Sequence, residues 1–391
     1  MKILLLGPCS PQDVSDLFDP EYRDEAVAMV GYRGIPVSSL AISLLALGHE
    51  VFIVSTSSDL RNETRVFKGR NFEMRIVAAR HRARDLALSF FSKERDLIIS
   101  QIESINPEII NAHWTYEFAL AGLATKRPIL ITAHDAPLTI FKHYFDAYRF
   151  FRLLMAAKVR LKSKHFVFVS PDLKNRWRKE LLWFGDSKVI PNIAPDLQVS
   201  KRLDHVASLN VLIISDASKL KNVKNAIKAW QIVISQYPQA KLQIVGTGLD
   251  EGGLLYEWAR LNGLNKSISW CGYLSPNEVA NKIAISNILL HPSLHESFGL
   301  TLIEAMTHGV PVIAGKKSGA VPYVVGDAGV LVNMRKTSEI ANALINLLSN
   351  RELAKEIGIK GCKRAKSEFA SRKVGQLYVS EYERILGELN K

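Results

Sequence analysis

Cysteine is scarce in this chain of 391 residues: there are three, Cys9, Cys271 and Cys362, scattered without any paired spacing. That excludes a disulfide framework and a thiolate zinc site. Long apolar runs are missing as well, and nothing approaches the roughly eighteen uninterrupted apolar residues that a bilayer span requires. No Asp-x-Asp pair and no His/Asp cluster at metal-ligand spacing occurs. Gly246-Thr247-Gly248 opens like a dinucleotide fingerprint, but the third glycine, Gly252, is out of register and no acid follows at the ribose distance, which argues against a nicotinamide-dependent oxidoreductase. Acidic residues are in deficit, 38 against 51 Lys and Arg, for a net charge of +13. Such a balance calls for an acidic partner: nucleic acid, anionic lipid or a phosphorylated substrate. No nucleic-acid-binding module accompanies the charge, so no nucleic-acid partner is expected.

What is present is alternation. A chain of this length exceeds what one hydrophobic core organises, and two domains are expected. The opening MKILLLGPCSPQ has one lysine and a run too short for a signal peptide; it reads as a first buried strand, and with the thiol count it points to the cytoplasm. A long irregular stretch, Pro8 to Tyr32, precedes a helix through Ser39 to Leu47. HEVFIVS, MRIVAA, PEIINAH, PILITAH and HFVFVS follow as strands. The second half repeats the pattern with NVLIIS, KLQIVG, SISWCG, NILLHPS, VPVIAG and GVLVN. This predicts a doubly wound parallel sheet in each half, with ligands at the carboxyl ends of the strands. Pro195 to Ser208, polar and without periodicity, has linker composition.

The most informative segment is 291–326, HPSLHESFGLTLIEAMTHGVPVIAGKKSGAVPYVVG. Leu300, Leu302, Ile303 and Met306 fall at helical spacing, so a helix is expected from about Gly299 to Gly309. Its first amides lack intrahelical partners and suit a phosphate. Glu296 lies just before that start and Glu304 inside the helix, eight positions on. Either the two acids are ordinary solvated groups near a helix start, or they accept hydrogen bonds from sugar hydroxyls on either side of the phosphates.

PSLHESFGLTLIEAMTHGVPVIA closely resembles the signature of the retaining GT-B glycosyltransferases, the group 1 type of glycosyltransferase family 4. The resemblance runs over essentially the whole chain and is strongest after residue 205. It implies an α/β GT-B fold, two Rossmann-like doubly wound parallel-sheet domains facing across a cleft. The domains would be 1–194 on the acceptor side and 195–370 for the donor, with a C-terminal helix, 371–391, crossing back to the first. Val189 to Asn192 resembles the junction between them. The implied activity is transfer of a sugar from a nucleotide-diphosphate-sugar donor to a hydroxyl on a saccharide or lipid-linked acceptor, with retention and in cell-surface polysaccharide or glycolipid synthesis. No cofactor is implied beyond that co-substrate, and no metal.

By the same resemblance, Glu296 contacts the donor sugar, Glu304 the nucleotide ribose, and the amides around Phe298, Gly299 and Leu300 the distal phosphate. His134, in a ThrAlaHisAsp strand end, is assigned to the donor sugar, and His113 with Trp114 to the acceptor side. Asp135 either orients His134 or caps the next element. A glycine pair opens the family's first helix; here only Gly34 matches, and Arg33 stands in the first position. The Gly246 and Gly248 loop lies against the nucleotide. Lys221 matches the helix-start lysine of a phosphate clamp whose arginine is replaced by Asp216, with Lys219 as the nearby substitute.

Seven Lys or Arg between Lys142 and Lys164, against Asp146 alone, are interleaved with aromatics. A second basic stretch, LKNRWRKELLW, is expected to place Trp177, Leu181 and Leu182 on one helical face. Two readings fit: a segment that lies on an anionic membrane surface, peripheral on its inner face, or a core-facing stripe with a solvated basic back. Two functional alternatives stand beside the transferase, a GT-B phosphorylase and a non-catalytic membrane-peripheral scaffold derived from one.

Overall fold

The computed structural model describes every residue except Val30, Tyr32, Asn62, 196–208, Asn390 and Lys391; most of the expected linker lies outside the described residues. The chain divides into two compact units, Met1–Pro195 with Ser371–Lys391, and Asp196–Ala370.

In the first unit the strands are β1 Lys2–Leu6, β2 Glu50–Ser57, β3 Thr64–Gly69, β4 Phe72–Ala78, β5 Ile109–His113, β6 Ile129–Ala133, β7 Phe166–Phe168 and β8 Ser187–Val189. Among the described residues they form one sheet in the order β3-β4-β2-β1-β5-β6-β7-β8. Ile3 to Leu6 are fully buried, as befits a central strand covered on both faces. After β1 the chain builds β2 and β4 to one side, then returns to lay β5 on the other. The switch point is therefore between β1 and β5, where such sheets bind ligands.

Three expectations need correction here. The sheet is not wholly parallel: β3 runs antiparallel to β4, through a tight turn with Asn71 in the left-handed region at φ 56°. The stretch after β1 is not irregular, since it contains a 3-10 helix, Pro11–Leu17, and an α-helix, Pro20–Ala28. The two differences share a cause, because Phe18 packs on Phe67 and Phe72 of that hairpin, with ring centroids 5.2 and 5.4 Å apart. Finally, the helix expected from Ser39 spans Ile35–Ala46, Pro36 being tolerated in its first turn.

The last helix, Ser371–Leu389, belongs to this first unit. The Ser43 hydroxyl donates to the Ser371 carbonyl at 2.7 Å, and Asn111 Nδ2 donates to the Tyr382 hydroxyl at 2.8 Å, both Asn111 and Tyr382 being fully buried. A methyl at Gly375 would come within 2.1 Å of Ser43 Oγ, so only glycine allows this approach.

The second unit contains β9 Asn210–Ile214, β10 Lys241–Val245, β11 Ile268–Gly272, β12 Ile288–His291, β13 Val312–Gly315 and β14 Val330–Val332. Their order is β11-β10-β9-β12-β13-β14 and every described pairing is parallel. The switch point falls between β9 and β12. Trp230, fully buried on the helix Val223–Gln236, anchors the core.

Candidate active site

In the second unit the residues after β9 and β12 are stitched together. Leu294 donates its amide to Leu220 O at 2.9 Å, and Asn222 Nδ2 donates to Pro292 O at 3.1 Å and to Met334 O at 2.8 Å. Asn222 sits in the left-handed region at φ 57°, between the 3-10 turn Lys219–Lys221 and the following helix. This stitching brings Lys221 Nζ to 2.6 Å from Glu296 Oε1. His291 Nε2 approaches the same oxygen at 3.2 Å, and the Thr301 hydroxyl lies 3.3 Å from His291 Nδ1. With Nε2–H donating to the carboxylate, Nδ1 is free to accept from Thr301. Burial works to raise the Glu296 carboxyl, whose side chain is only 13% exposed, but the imidazole of His291 and the ammonium of Lys221 outweigh it. The group is held well below the usual carboxylate range and stays ionised.

The helix that follows spans Leu300–Thr307 behind Gly299 at φ 96°. Its opening amides face no preceding turn. Phe298 is buried and packs edge-on against Phe369 with centroids 5.7 Å apart, so its side chain fixes the loop and only its amide is available to a ligand. Glu304, half-buried within the helix, has burial alone acting on it, and its carboxyl rises from 4.5 to about 7. The two glutamates of one signature are thus in opposite states near neutrality, one locked as an anion and one poised to titrate.

Asp216, where the resemblance leads one to look for an arginine, accepts the Ser218 amide at 2.8 Å and shapes the turn that carries Lys221. Lys219 is exposed. Gly246 has φ 136°, and a methyl there would meet Ser215 O at 1.5 Å; Gly248 has φ 74°. The Thr247 carbonyl accepts the Ala217 amide at 3.2 Å, which ties this glycine loop to the turn before Lys221.

In the first unit, Gly34 touches the end of β1 so closely that a methyl would lie 1.6 Å from Pro8 O. Arg33 beside it is exposed, so its side chain does not fill that approach. His113 and His134 end β5 and β6 and stack with centroids 5.1 Å apart, His113 Nδ1 lying 2.9 Å from His134 Nε2. Burial pushes His134 down to about 4, and it pushes His113 well below its usual range with help from His134. Both rings are neutral at pH 7, one donating and one accepting. His113 is 1% exposed, which makes it a support for His134 rather than a surface contact.

Asp135 does not reach His134. Its two oxygens lie 2.9 and 2.8 Å from the Tyr116 hydroxyl, and its carbonyl accepts Trp177 Nε1–H at 2.9 Å. Arg152, counted among the solvated basic residues, is turned inward with Cζ 3.7 Å from the Tyr116 ring centroid. The second basic stretch also differs from expectation. Its helix, Pro171–Glu180, stops before Leu181; Trp177 is buried, and Leu182, at φ 53°, is 59% exposed.

Sequence reasoning passed over His291 and Thr301. A histidine ending a buried strand, HPS, was the available signal, of the same kind that singled out His113 and His134.

Two family models match the chain: one described as Glycosyltransferase Family 4 over residues 37–194, the other as Glycosyl transferases group 1 over residues 204–364. The N-acetyl-alpha-D-glucosaminyl L-malate synthase of Bacillus anthracis is 26% identical over 91% of this chain and 93% of its own. Among solved structures, a sucrose-phosphate synthase from Thermosynechococcus elongatus superposes with a TM-score of 0.78 at 18% identity, covering 99% of each chain. An Anabaena protein, HepE, solved with UDP and glucose, superposes with a TM-score of 0.68 at 17% identity, covering 98% of this chain and 99% of its own.

Proposed function

This chain belongs to the GT-B glycosyltransferases of the group 1, family 4 type, which act on nucleotide sugars, and from that premise we propose transfer from a nucleotide-diphosphate sugar to a saccharide or lipid-linked hydroxyl with retention. The observation that carries the reading is the Lys221–Glu296–His291 cluster beside the start of the helix Leu300–Thr307.

The chemistry follows from those groups. The bond from the anomeric carbon to the diphosphate oxygen breaks, and a bond from the acceptor oxygen forms on the same face. The acceptor proton passes to the departing phosphate, so no enzyme nucleophile is required, and the protein positions the reactants and stabilises an oxocarbenium-like state. Lys221 and the amides of Gly299 and Leu300 meet the charge growing on the leaving oxygen, in a preorganised setting and without a metal. Glu296, kept ionised, accepts hydroxyls of the transferred sugar, and Glu304 accepts those of the ribose. In the first unit, His134 has its Nε2 committed to His113, which leaves Nδ1 to meet a sugar hydroxyl.

A panel of nucleotide sugars in thermal-shift assays tests the reading, since a donor at about 100 times its Kd stabilises by about 2.7 kcal/mol. If none shifts the transition while inorganic phosphate alone cleaves an oligosaccharide, the phosphorylase alternative replaces it.

We further propose that the enzyme works on anionic membranes at the cytoplasmic face. Among the described residues no helix is long and apolar enough to cross a membrane. The helix Ala147–Lys162 and the segments flanking it nevertheless expose Phe145 (79%), Leu161 (73%) and Phe184 (72%), beside the exposed Lys142, Lys158, Lys162 and Lys164. Apolar side chains flanked by lysines match an acidic interface.

A further inference from the structure

Sheets of this kind bind their substrates at the carboxyl ends of the strands, and the cavity with Trp114 in its wall lies there, on the acceptor side of the proposed transfer. Another concavity, of about 400 Å³, lies at the opposite rim of the first unit's sheet. Lys126 and Arg127 lead into β6 there, Lys162 and Lys164 into β7, and Glu388 of the last helix closes it. β6 is five residues long, which puts roughly 17 Å between this rim and the one that carries His134, at ~3.3 Å per residue. We propose that this concavity is a ligand site apart from the reaction, which takes a phosphate carried on a small uncharged body and ties the last helix to the loops before β6 and β7.

Charge selects an anion. The wall holds four Lys or Arg against one acid, Glu388. That acid is already matched, its Oε1 lying 2.5 Å from Nη1 of Arg384, which also meets Asp186 and Glu381. Arg127 is committed too: Nη2 lies 3.2 Å from Glu103 Oε2, and Nη1 donates to the Pro107 carbonyl at 3.5 Å. His165, beside them, is neutral at pH 7, because burial holds its imidazole below the ordinary range and Arg384 and Lys164 add to that against Glu388 and Asp186. What remains is Lys126, Lys162 and Lys164, all exposed and without a hydrogen bond or ion pair among the described residues. Like charges gathered around one concavity repel each other and concentrate anions between them.

The kind of cation selects the kind of anion. Ammoniums are compact point donors, and the separate oxygens of a phosphate can each take one from a different loop. A planar carboxylate is best met by the fork of a guanidinium, and the one in this wall is spent on Glu103. The volume exceeds what a bare phosphate fills, and Leu123, Pro128, Ile129 and Ile385 give the ligand's body an apolar lining. Glycerol phosphate has this chemistry, whether as a free ester or within the headgroup of an anionic lipid.

The site needs neither the transfer reaction nor the membrane contact, and it is tested on the full chain without a donor. Hydrogen-exchange mass spectrometry would follow segments 123–129, 161–166 and 380–388 with glycerol 3-phosphate, with phosphatidylglycerol vesicles and with phosphatidylcholine vesicles. Slower exchange in all three segments is expected with the free ester or with phosphatidylglycerol, and not with phosphatidylcholine. The source that protects at the lower phosphate concentration is the ligand, free ester or lipid headgroup. Protection should be the same in Lys221→Ala, which removes the donor-side cation; loss there would put the phosphate in the transfer site and overturn the proposal. Affinity should fall about two- to fivefold for each of Lys126→Asn, Lys162→Ser and Lys164→Ser, and about tenfold or more for all three together, as for exposed charge pairs. Asn suits the left-handed backbone of Lys126, at φ 56°. Lys158→Ser, one turn earlier on the helix that carries Lys162 and outside the wall, should change nothing. The proposal also fails if neither phosphate probe slows exchange, if the triple variant binds like the wild type, or if Lys158→Ser weakens binding as much as Lys162→Ser, which marks diffuse attraction to a basic surface. Vesicle binding that leaves these segments unprotected supports the membrane reading and sinks the phosphate site.

Discussion

Replacing Glu304 by Gln separates a binding role from a structural one, because the two predict effects of opposite sign. Burial alone moves this carboxyl from 4.5 to about 7, so the folded state holds a proton that the unfolded chain would release. A carboxyl raised on folding subtracts stability as pH climbs from its unfolded to its folded value. At about pH 8 the whole penalty is present, about 3 kcal/mol at 1.36 kcal/mol for each tenfold change in proton affinity. Glu304→Gln removes it and should melt several degrees higher at pH 8, with little difference near pH 5. If the ionised carboxylate accepts ribose hydroxyls, the same substitution should cost about 1.5–3 kcal/mol of nucleoside diphosphate affinity. Binding to the wild type should then release a proton and tighten about tenfold more between about pH 6 and pH 8 than binding to the variant. The comparison with Glu304→Gln cancels the titration of the phosphate itself. Calorimetry in buffers of differing ionisation enthalpy reads both affinity and proton release. Equal affinities with parallel pH profiles would refute the ribose contact even if the variant is more stable.

Lys221→Ala should lower the transfer rate by orders of magnitude, because the cation meets charge that grows in the transition state, while exposed Lys219→Ala changes it little. Comparable losses in both, with a double variant no worse, would mean that the two lysines act as a unit, measured by steady-state rates at saturating donor. Activity should survive excess EDTA; loss restored by manganese or magnesium would contradict the assignment of the phosphate charge to Lys221 and the helix start. Liposome flotation at low salt should show binding to phosphatidylserine vesicles over neutral ones, reduced when Lys158, Arg160, Lys162 and Lys164 are changed to Ser; no preference, or no reduction, returns that surface to a structural role.

What could be read from sequence was what local pattern encodes. The helix Leu300–Thr307 announced itself by apolar spacing and a flanking glycine at each end, and the parallel strands by continuous apolar runs. What escaped depended on contacts between distant segments. The hairpin strand β3 is mostly polar and gains its meaning from Phe18, some fifty residues earlier. Arg152 looked like one of seven solvated cations and is turned inward by Tyr116, 36 positions before it. Nor could sequence show that Glu296 sits between Lys221 and His291, since the loop stitching by Asn222 joins positions 70 residues apart.

The order in which residues are made carries a further consequence. The first unit is discontinuous: its sheet is written in the opening 195 residues, but its last helix, Ser371–Leu389, is synthesised after the whole of the second unit. Until then Asn111, in a central strand, lacks the Tyr382 hydroxyl that satisfies it, and the apolar face that Val374 and Tyr378 cover stays open. On the ribosome the first half therefore emerges as an incomplete fold that waits on the C-terminus, exposed to misassembly in the interval. A stop codon at any position before the final helix would thus damage the half of the protein that was translated first.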